Sequence, residues 1–216
     1  MPLSAARVLL HPPKRYVLSF DGENDYIRVA RFAELTAKPY TILMAIRTTG
    51  TESYYSLFYQ ENINTGVVAI YLNLPVGHVS YWSGSGSGGT QVQSNAGNLN
   101  DGKWHVLGFV DDYSKIYIYV DGEYDNSKDR TSGTGSVDSD IYIATRRYLD
   151  YFYLGDLAFL QLYYDKALTA DEIRHNYLNP MNPILDGLIC WLAMEEGSGT
   201  TVHDKSGNGN DGVIHT

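Results

Sequence analysis

The chain has 216 residues, 44% hydrophobic and 19% charged, so it is globular rather than disordered and has room for one large domain or two small ones. Its formal net charge of −9 excludes the basic face that nucleic acid or an anionic membrane surface requires, and favours solubility and divalent-cation sites. One Cys excludes an internal disulfide, and no stretch approaches the roughly 20 apolar residues of a membrane-crossing helix, so no membrane insertion is expected.

Residues 1–15 read as an N-terminal arm. Its apolar piece Ala5–Leu10 is too short for a secretory core and runs into Pro12-Pro13. No signal peptide is legible. That leaves a protein cytosolic at synthesis, a mature or excised fragment, or a virion component. An arm of this kind is ordered only if a sheet or a neighbour holds it.

From Tyr16 onward alternating runs dominate. They are Tyr16–Phe20, Tyr26–Val29, Tyr40–Arg47, Tyr54–Tyr59, Val67–Leu74, His78–Trp82, Thr90–Gln93, Trp104–Asp111, Lys115–Val120, Asp140–Thr145 and Phe152–Tyr164. Short strands rich in Tyr, Val and Ile, separated by evenly spaced turns, are the pattern of an all-β sandwich or barrel. Nineteen Tyr strengthen that reading, because Tyr favours strands and binding surfaces. Asp21-Gly22, Asp101-Gly102 and Asp121-Gly122 mark tight turns, the last joining Ile116–Val120 to Glu123-Tyr124 as a hairpin. Ser83–Gly89 is a flexible loop between strands. A weak helical turn is expected at Arg31–Leu35. One clear helix runs over about 169–178: Thr169 caps it, Asp171 and Glu172 fill its first turn, and Pro180 lies beyond its end.

The closing residues look like the start of a domain. Leu188–Met194 is an apolar strand holding Cys190 as a small buried hydrophobe, Glu195–Asp211 is a polar turn region, and Gly212–Thr216 is a short strand. About 30 residues cannot form a core alone, so this segment must dock on its own chain or on a neighbour.

Leu18–Tyr26 (LSFDGENDY), Tyr40–Arg47, Asp101–His105 (DGKWH), Lys115–Glu123 (KIYIYVDGE) and Leu154–Leu178, in that order, resemble the concanavalin A-like lectin/glucanase superfamily, laminin G-like type. The resemblance covers residues 16–216. It implies a two-sheet antiparallel jelly roll with one concave sheet and the helix capping an edge. Relatives place a segment like 188–216 before the strand equivalent to Tyr16–Phe20, so the resemblance implies circular permutation here. Gly212–Thr216 would lie beside Tyr16–Phe20 and Leu188–Met194 at a sheet centre; strand exchange between subunits is the alternative.

Catalysis is not expected. The E-x-D-x-x-E strand motif of glycoside hydrolases on this fold is absent. Glu195-Glu196 and Asp111-Asp112 are adjacent, so each pair splits between faces. The six His show no zinc spacing, and there is no G-x-S-x-G. Calcium is the best chemical candidate. The resemblance implies a structural ion at Asp21 and Asp156, and Asp204, Asn208 and Asp211 form a second oxygen-rich loop without the full EF-hand pattern. The alternative for all of these is turn capping.

For ligand recognition the candidates are Tyr55, Tyr59, Tyr71, Tyr81 and Trp82, with Tyr148, Tyr151, Tyr153, Arg146 and Arg147 as a second rim. Core packing and protein contact are their other uses. Trp104 and Trp191 read as core. Two functions fit. The first is a virion or cell-surface structural or adhesive subunit working through protein partners or self-assembly. The second is a secreted, calcium-dependent carbohydrate-binding module, with a glycoside hydrolase a distant third. Either of the first two places the protein outside a cell, on its surface or on a virion.

Overall fold

The structure is a computed structural model, describing residues 16–51, 54–62, 66–73, 76–84, 89–131, 137 and 139–216. The arm at 1–15 and most of the Gly-rich loop, 85–88, lie outside the described residues.

Two antiparallel sheets face each other. The first has seven strands: β1 (Leu18–Asp21), β3 (Tyr40–Arg47), β8 (His105–Asp111), β9 (Lys115–Val120), β10 (Glu123–Asp129), β12 (Leu154–Tyr164) and β13 (Leu188–Leu192). Its order is β1-β12-β3-β8-β9-β10, with β13 also on β12. The second has eight: β2 (Tyr26–Val29), β4 (Tyr54–Asn62), β5 (Gly66–Asn73), β6 (His78–Gly84), β7 (Thr90–Gln93), β11 (Ile141–Ile143), β14 (Thr201–Val202) and β15 (Gly212–His215), ordered β14-β15-β2-β11-β4-β5-β6-β7. The only α-helix among the described residues is α1 (Ala170–Leu178); a 3-10 turn at Leu35–Ala37 stands just after the expected Arg31–Leu35 turn.

Alternation on the strands fills the space between the sheets. Ile42, Met44, Phe109 and Leu160 meet Ile27, Phe58, Ile70 and Tyr81, all at most 2% exposed. Each such burial contributes about 1.5–3 kcal/mol. A hydroxyl chain ties the sheets at one end. Tyr81 donates to Tyr40 (2.6 Å), Tyr40 to Ser83 (2.9 Å), and Ser83 to Asp111 Oδ2 (2.6 Å). Arg130 completes it against Asp111 Oδ1 at 3.1 Å.

α1 and residues 179–184 cover the middle of the outer face of the seven-stranded sheet. α1 begins with a reciprocal capping box between Thr169 and Glu172 and buries Ile173 against Leu43, Val106, Val110 and Phe159. Gly122 makes this approach possible: its backbone is left-handed (φ +80), and any Cβ there would lie 2.6 Å from the Tyr177 ring. Asn176, fully buried on α1, donates to Tyr163 Oη at 2.7 Å and accepts from Ile184 N at 2.9 Å, which pins residues 179–184 over the sheet. Trp104 and Trp191 pack against this outer cluster half-buried rather than inside the sandwich.

The closing segment docks on its own chain, and Ile214 lines one pocket with Tyr16, Val17 and Leu18, near residues 16–20 as the resemblance implies, but its strand pairings differ from that expectation. β13 pairs with β12 through Leu160↔Leu192 and Leu162↔Cys190, on the edge that β1 occupies further along, so it takes an outer rather than a central place. β15 pairs with β2, not β1, through Gly212↔Val29 and Ile214↔Ile27. The segment therefore adds strands to both sheets. Cys190 is 1% exposed, and burial raises its thiol pKa well above the usual range.

Candidate functional site

With the middle of the other sheet covered by α1, the outer face of the eight-stranded sheet is the broader surface for recognition. Strand register assembles a row across it: Val213↔Arg28↔Tyr142↔Tyr59↔Ala69↔Trp82↔Gln91. Directly paired residues share a face, so all seven side chains point outward. At about 4.8 Å per strand, Tyr142 and Trp82 stand roughly 14 Å apart. Within this row Tyr59 and Ala69 are buried, 4% and 1% exposed, while Tyr142 and Trp82 on either side of them are half-buried. A parallel row, Ser56↔Tyr71↔Ser80↔Gln93, lines one side.

The segment 144–151 forms a wall over this face. Ala144 (φ 70), Leu149 (φ 55) and Tyr151 (φ 53) all adopt the left-handed conformation, which costs L-residues about 1 kcal/mol or more each. Hydrogen bonds hold them there: Ser56 N to Tyr151 O (2.8 Å), Tyr153 N to Ala144 O (2.8 Å), Ser56 Oγ to Thr145 O (3.1 Å) and Thr145 Oγ1 to Asp150 O (3.0 Å). Arg146 is gripped by both oxygens of Asp150, Nε to Oδ1 being 2.7 Å, and lies 4.3 Å from the Tyr151 ring and 5.5 Å from the Tyr148 ring. The Asp150 hydrogen bond pushes the Arg146 pKa further up. Tyr148 donates to Glu61 Oε2 at 3.0 Å, with Arg147 Nε 3.8 Å from the same oxygen. Burial raises the Tyr59 hydroxyl well above its ordinary pKa and pushes Tyr71 up to about 12, with the Arg146 charge opposing the shift at Tyr71. These phenols are neutral donors and acceptors at neutral pH.

Seven of the ten residues expected to bind a ligand thus share this face: Tyr59, Tyr71, Trp82, Arg146, Arg147, Tyr148 and Tyr151. Tyr55, Tyr81 and Tyr153 do not; they are at most 2% exposed between the sheets, where Tyr55 packs edge-on against Tyr153 and Tyr81 against Tyr40. A bulge separates Tyr55 from Tyr59. β4 is out of register with β5 between Ser56 and Phe58, so two residues four apart, which plain alternation puts on one face, point to opposite faces. Tyr81 and Trp82 are neighbours in β6, so only one can face outward. Tyr142, Glu61, Ala69, Asp150 and Gln91 belong to the site and carry no distinctive signal in the sequence; their shared row exists only through strand pairing.

The expected metal positions are engaged otherwise. Asp21 Oδ1 accepts from Glu23 N (2.8 Å) and Asn24 N (3.2 Å) in its own turn, which lowers its pKa. Asp156 Oδ1 accepts from Ser19 Oγ (2.5 Å), and Oδ2 pairs with Arg47 Nε (2.8 Å) and a second guanidinium nitrogen (2.6 Å). Asp204 Oδ1 accepts from Trp191 N (2.8 Å) and Ser206 N (2.9 Å), and Oδ2 from Ser206 Oγ (2.8 Å) and Asn210 N (2.9 Å). Asn208 Nδ2 donates to Ser206 Oγ (2.9 Å) and Leu188 O (3.2 Å). Both loops are turn-capping networks, and among the described residues no group of three His, Cys, Asp or Glu stands where it could hold a metal ion. At both places the carboxylates are engaged by the protein's own donors.

The comparisons agree with this architecture. A family model for the concanavalin A-like lectin/glucanases superfamily, Laminin_G_3, matches residues 21–174. A candidate carbohydrate-binding protein from Bacteroides ovatus superposes with TM-score 0.72 at 16% identity, over 95% of this chain and 59% of that one. A heptameric SAP-like pentraxin from Limulus polyphemus gives 0.60 at 15% identity, over 76% and 82% of the two chains. Domain 4 of an extracellular arabinanase from Geobacillus stearothermophilus, in complex with arabinotriose, gives 0.60 at 15%, over 74% and 75%. This chain therefore spans about three fifths of the Bacteroides protein's length. A search of curated protein sequences finds no match. No helix among the described residues is long and apolar enough to cross a membrane. With the model covering more than half its length, the chain belongs to the concanavalin A-like lectin/glucanase superfamily, as a Laminin_G_3 domain.

Proposed function

We propose that the protein is a non-catalytic binding module acting outside the cell, and that it holds an uncharged oligosaccharide on the outer face of the eight-stranded sheet. The carrying observation is the registered row in which half-buried Tyr142 and Trp82 stand on either side of the buried Tyr59 and Ala69, with exposed Gln91 next to Trp82. Aromatic faces stack on the apolar faces of sugar rings, while exposed Gln91 and Gln93 beside them orient hydroxyls. Charge selects the ligand class. The three Arg on this face are paired, Arg28 with Asp140, Arg146 with Asp150 and Arg147 with Glu61, so none is spare for a sugar carboxylate. The arabinotriose-bound domain and the Bacteroides protein support a carbohydrate reading on this fold. That support is by analogy, since one fold hosts many functions.

The adhesive or virion subunit drew on the arm, which lies outside the described residues, and on strand exchange, whereas 188–216 pairs within its own chain. A glycan array carrying neutral and sialylated oligosaccharides, followed by calorimetry, tests the proposal. Neutral chains are expected to bind, and Trp82→Ala to weaken them by about 2 kcal/mol, roughly 30-fold. Preference for sialylated ligands, or unchanged affinity in Trp82→Ala, refutes the site. Absence of any glycan binding, with light scattering showing self-association, returns the assembly role.

A further inference from the structure

We propose that Arg47 is a built-in cation at the place where the fold family implies calcium, so that this domain is structurally calcium-independent. Three adjacent strands deliver the parts in one row. Ser19 of β1 lies opposite Asp156 of β12, and Asp156 lies opposite Arg47 of β3. Phe20, Leu157 and Ile46 point into the core, so Ser19, Asp156 and Arg47 point outward. Asp21, two residues beyond Ser19, is on the same face, which makes this the Asp21/Asp156 position itself.

Both oxygens of the carboxylate are already engaged, and its charge is already matched by Arg47. One oxygen takes the Ser19 hydroxyl at 2.5 Å, and the other takes the side-on fork of Arg47 at 2.8 and 2.6 Å. A calcium ion needs six to eight oxygens at 2.3–2.6 Å and would have to share Asp156 Oδ2 with a guanidinium of like charge. Arg47 is also held from behind, its guanidinium carbon 4.9 Å from the centre of the Trp104 ring. The stacked, forked geometry suits Arg and not Lys. A single positive charge matches the one carboxylate it meets, while Asp21 spends an oxygen on its own turn.

The test is thermal melting of the full chain with chelator and with millimolar Ca²⁺, for wild type, Arg47→Ala and Arg47→Lys. The wild-type melting temperature is expected to be unchanged by either addition, because a ligand that does not bind the native state cannot stabilise it. Arg47→Ala is expected to melt about 2–4 °C lower and to gain a calcium-dependent rise, since the vacated carboxylate regains its free oxygen. Arg47→Lys should also melt below wild type. Terbium, with luminescence excited through adjacent Trp104, gives a second readout: none in wild type, and a signal in Arg47→Ala that Asp156→Asn removes. A wild-type melting temperature that falls with chelator, wild-type terbium luminescence lost in Asp156→Asn, or an Arg47→Ala protein blind to both calcium and terbium overturns the proposal.

Discussion

Replacing Arg130 with Met should unravel the tie between the sheets. The Arg130 side chain is 5% exposed and faces Asp111, which is fully buried. Its loss leaves the Asp111 carboxylate with two neutral donors, Ser83 Oγ at 2.6 Å and Tyr113 N at 2.8 Å. Breaking one side of a buried ion pair costs about 3–5 kcal/mol, because the remaining charge is uncompensated. At about 2–4 °C per kcal/mol for a chain of this size, the melting temperature should fall by roughly 6–20 °C. The pH dependence identifies the cause. Burial already raises the Asp111 pKa, with Ser83 and the Arg130 charge opposing. Removing Arg130 raises it further, and a group whose folded pKa lies above its unfolded value destabilises as pH rises through the folded value. The variant's deficit should therefore shrink as pH is lowered from 8 toward 5. The double variant Arg130→Met/Asp111→Leu should recover much of the loss, with a coupling measured by urea denaturation of the four proteins. A deficit below about 1 kcal/mol, or one independent of pH, would refute the view that this pair is an electrostatic tie.

His105 should make stability fall at alkaline pH. Its pKa is raised by Asp121, at 3.0 Å from Nδ1, against the opposing effect of burial, with Asp101 3.3 Å from Nε2. The contribution is full below the unfolded value of about 6.5 and is lost as pH rises through the higher folded value. Urea midpoints between pH 5.5 and 9 should show this decline, and His105→Gln should flatten it; an identical profile in the variant counts against the assignment. Asp204→Ala should cost about 2–3 kcal/mol, because the four donors it serves join β13 to the loop before β15. Trp191 fluorescence during denaturation follows the loss, and a change under 0.5 kcal/mol is the contrary result. Tyr142→Ala should weaken glycan binding about 10-fold while melting within a few degrees of wild type, because Tyr142 is only half-buried on the outer face. Retained affinity in that variant would move the ligand elsewhere.

Much of the fold was legible in the sequence because it is local. Thr169 and Glu172 announce the helix by side chains that reach only three residues, and the Asp-Gly dipeptides mark turns by the positive φ that Gly tolerates. Period-two runs such as Tyr40–Arg47 coincide with their strand end to end. The closing segment, with its Gly-rich polar turn between two apolar strands, also declared that it must dock, since 30 residues cannot enclose a core. What they dock against depends on tertiary pairing. β13 and β15 went to an edge of one sheet and the end of the other because the unpaired edges of β12 and β2 were there to be satisfied. The site lay furthest from the sequence. A single bulge in β4 sends Tyr55 into the core and Tyr59 out, and Tyr142, Ala69 and Trp82 become neighbours only through register. Arg47 is likewise an ordinary strand end until β12 brings Asp156 beside it. Composition and periodicity determined an all-β sandwich or barrel without an internal disulfide, and the resemblance carried by its ordered motifs narrowed that to the two-sheet jelly roll. Which face stays open, and which charges are already spent, were decided by long-range pairing, because hydrogen bonds between distant strands leave no local pattern in the chain.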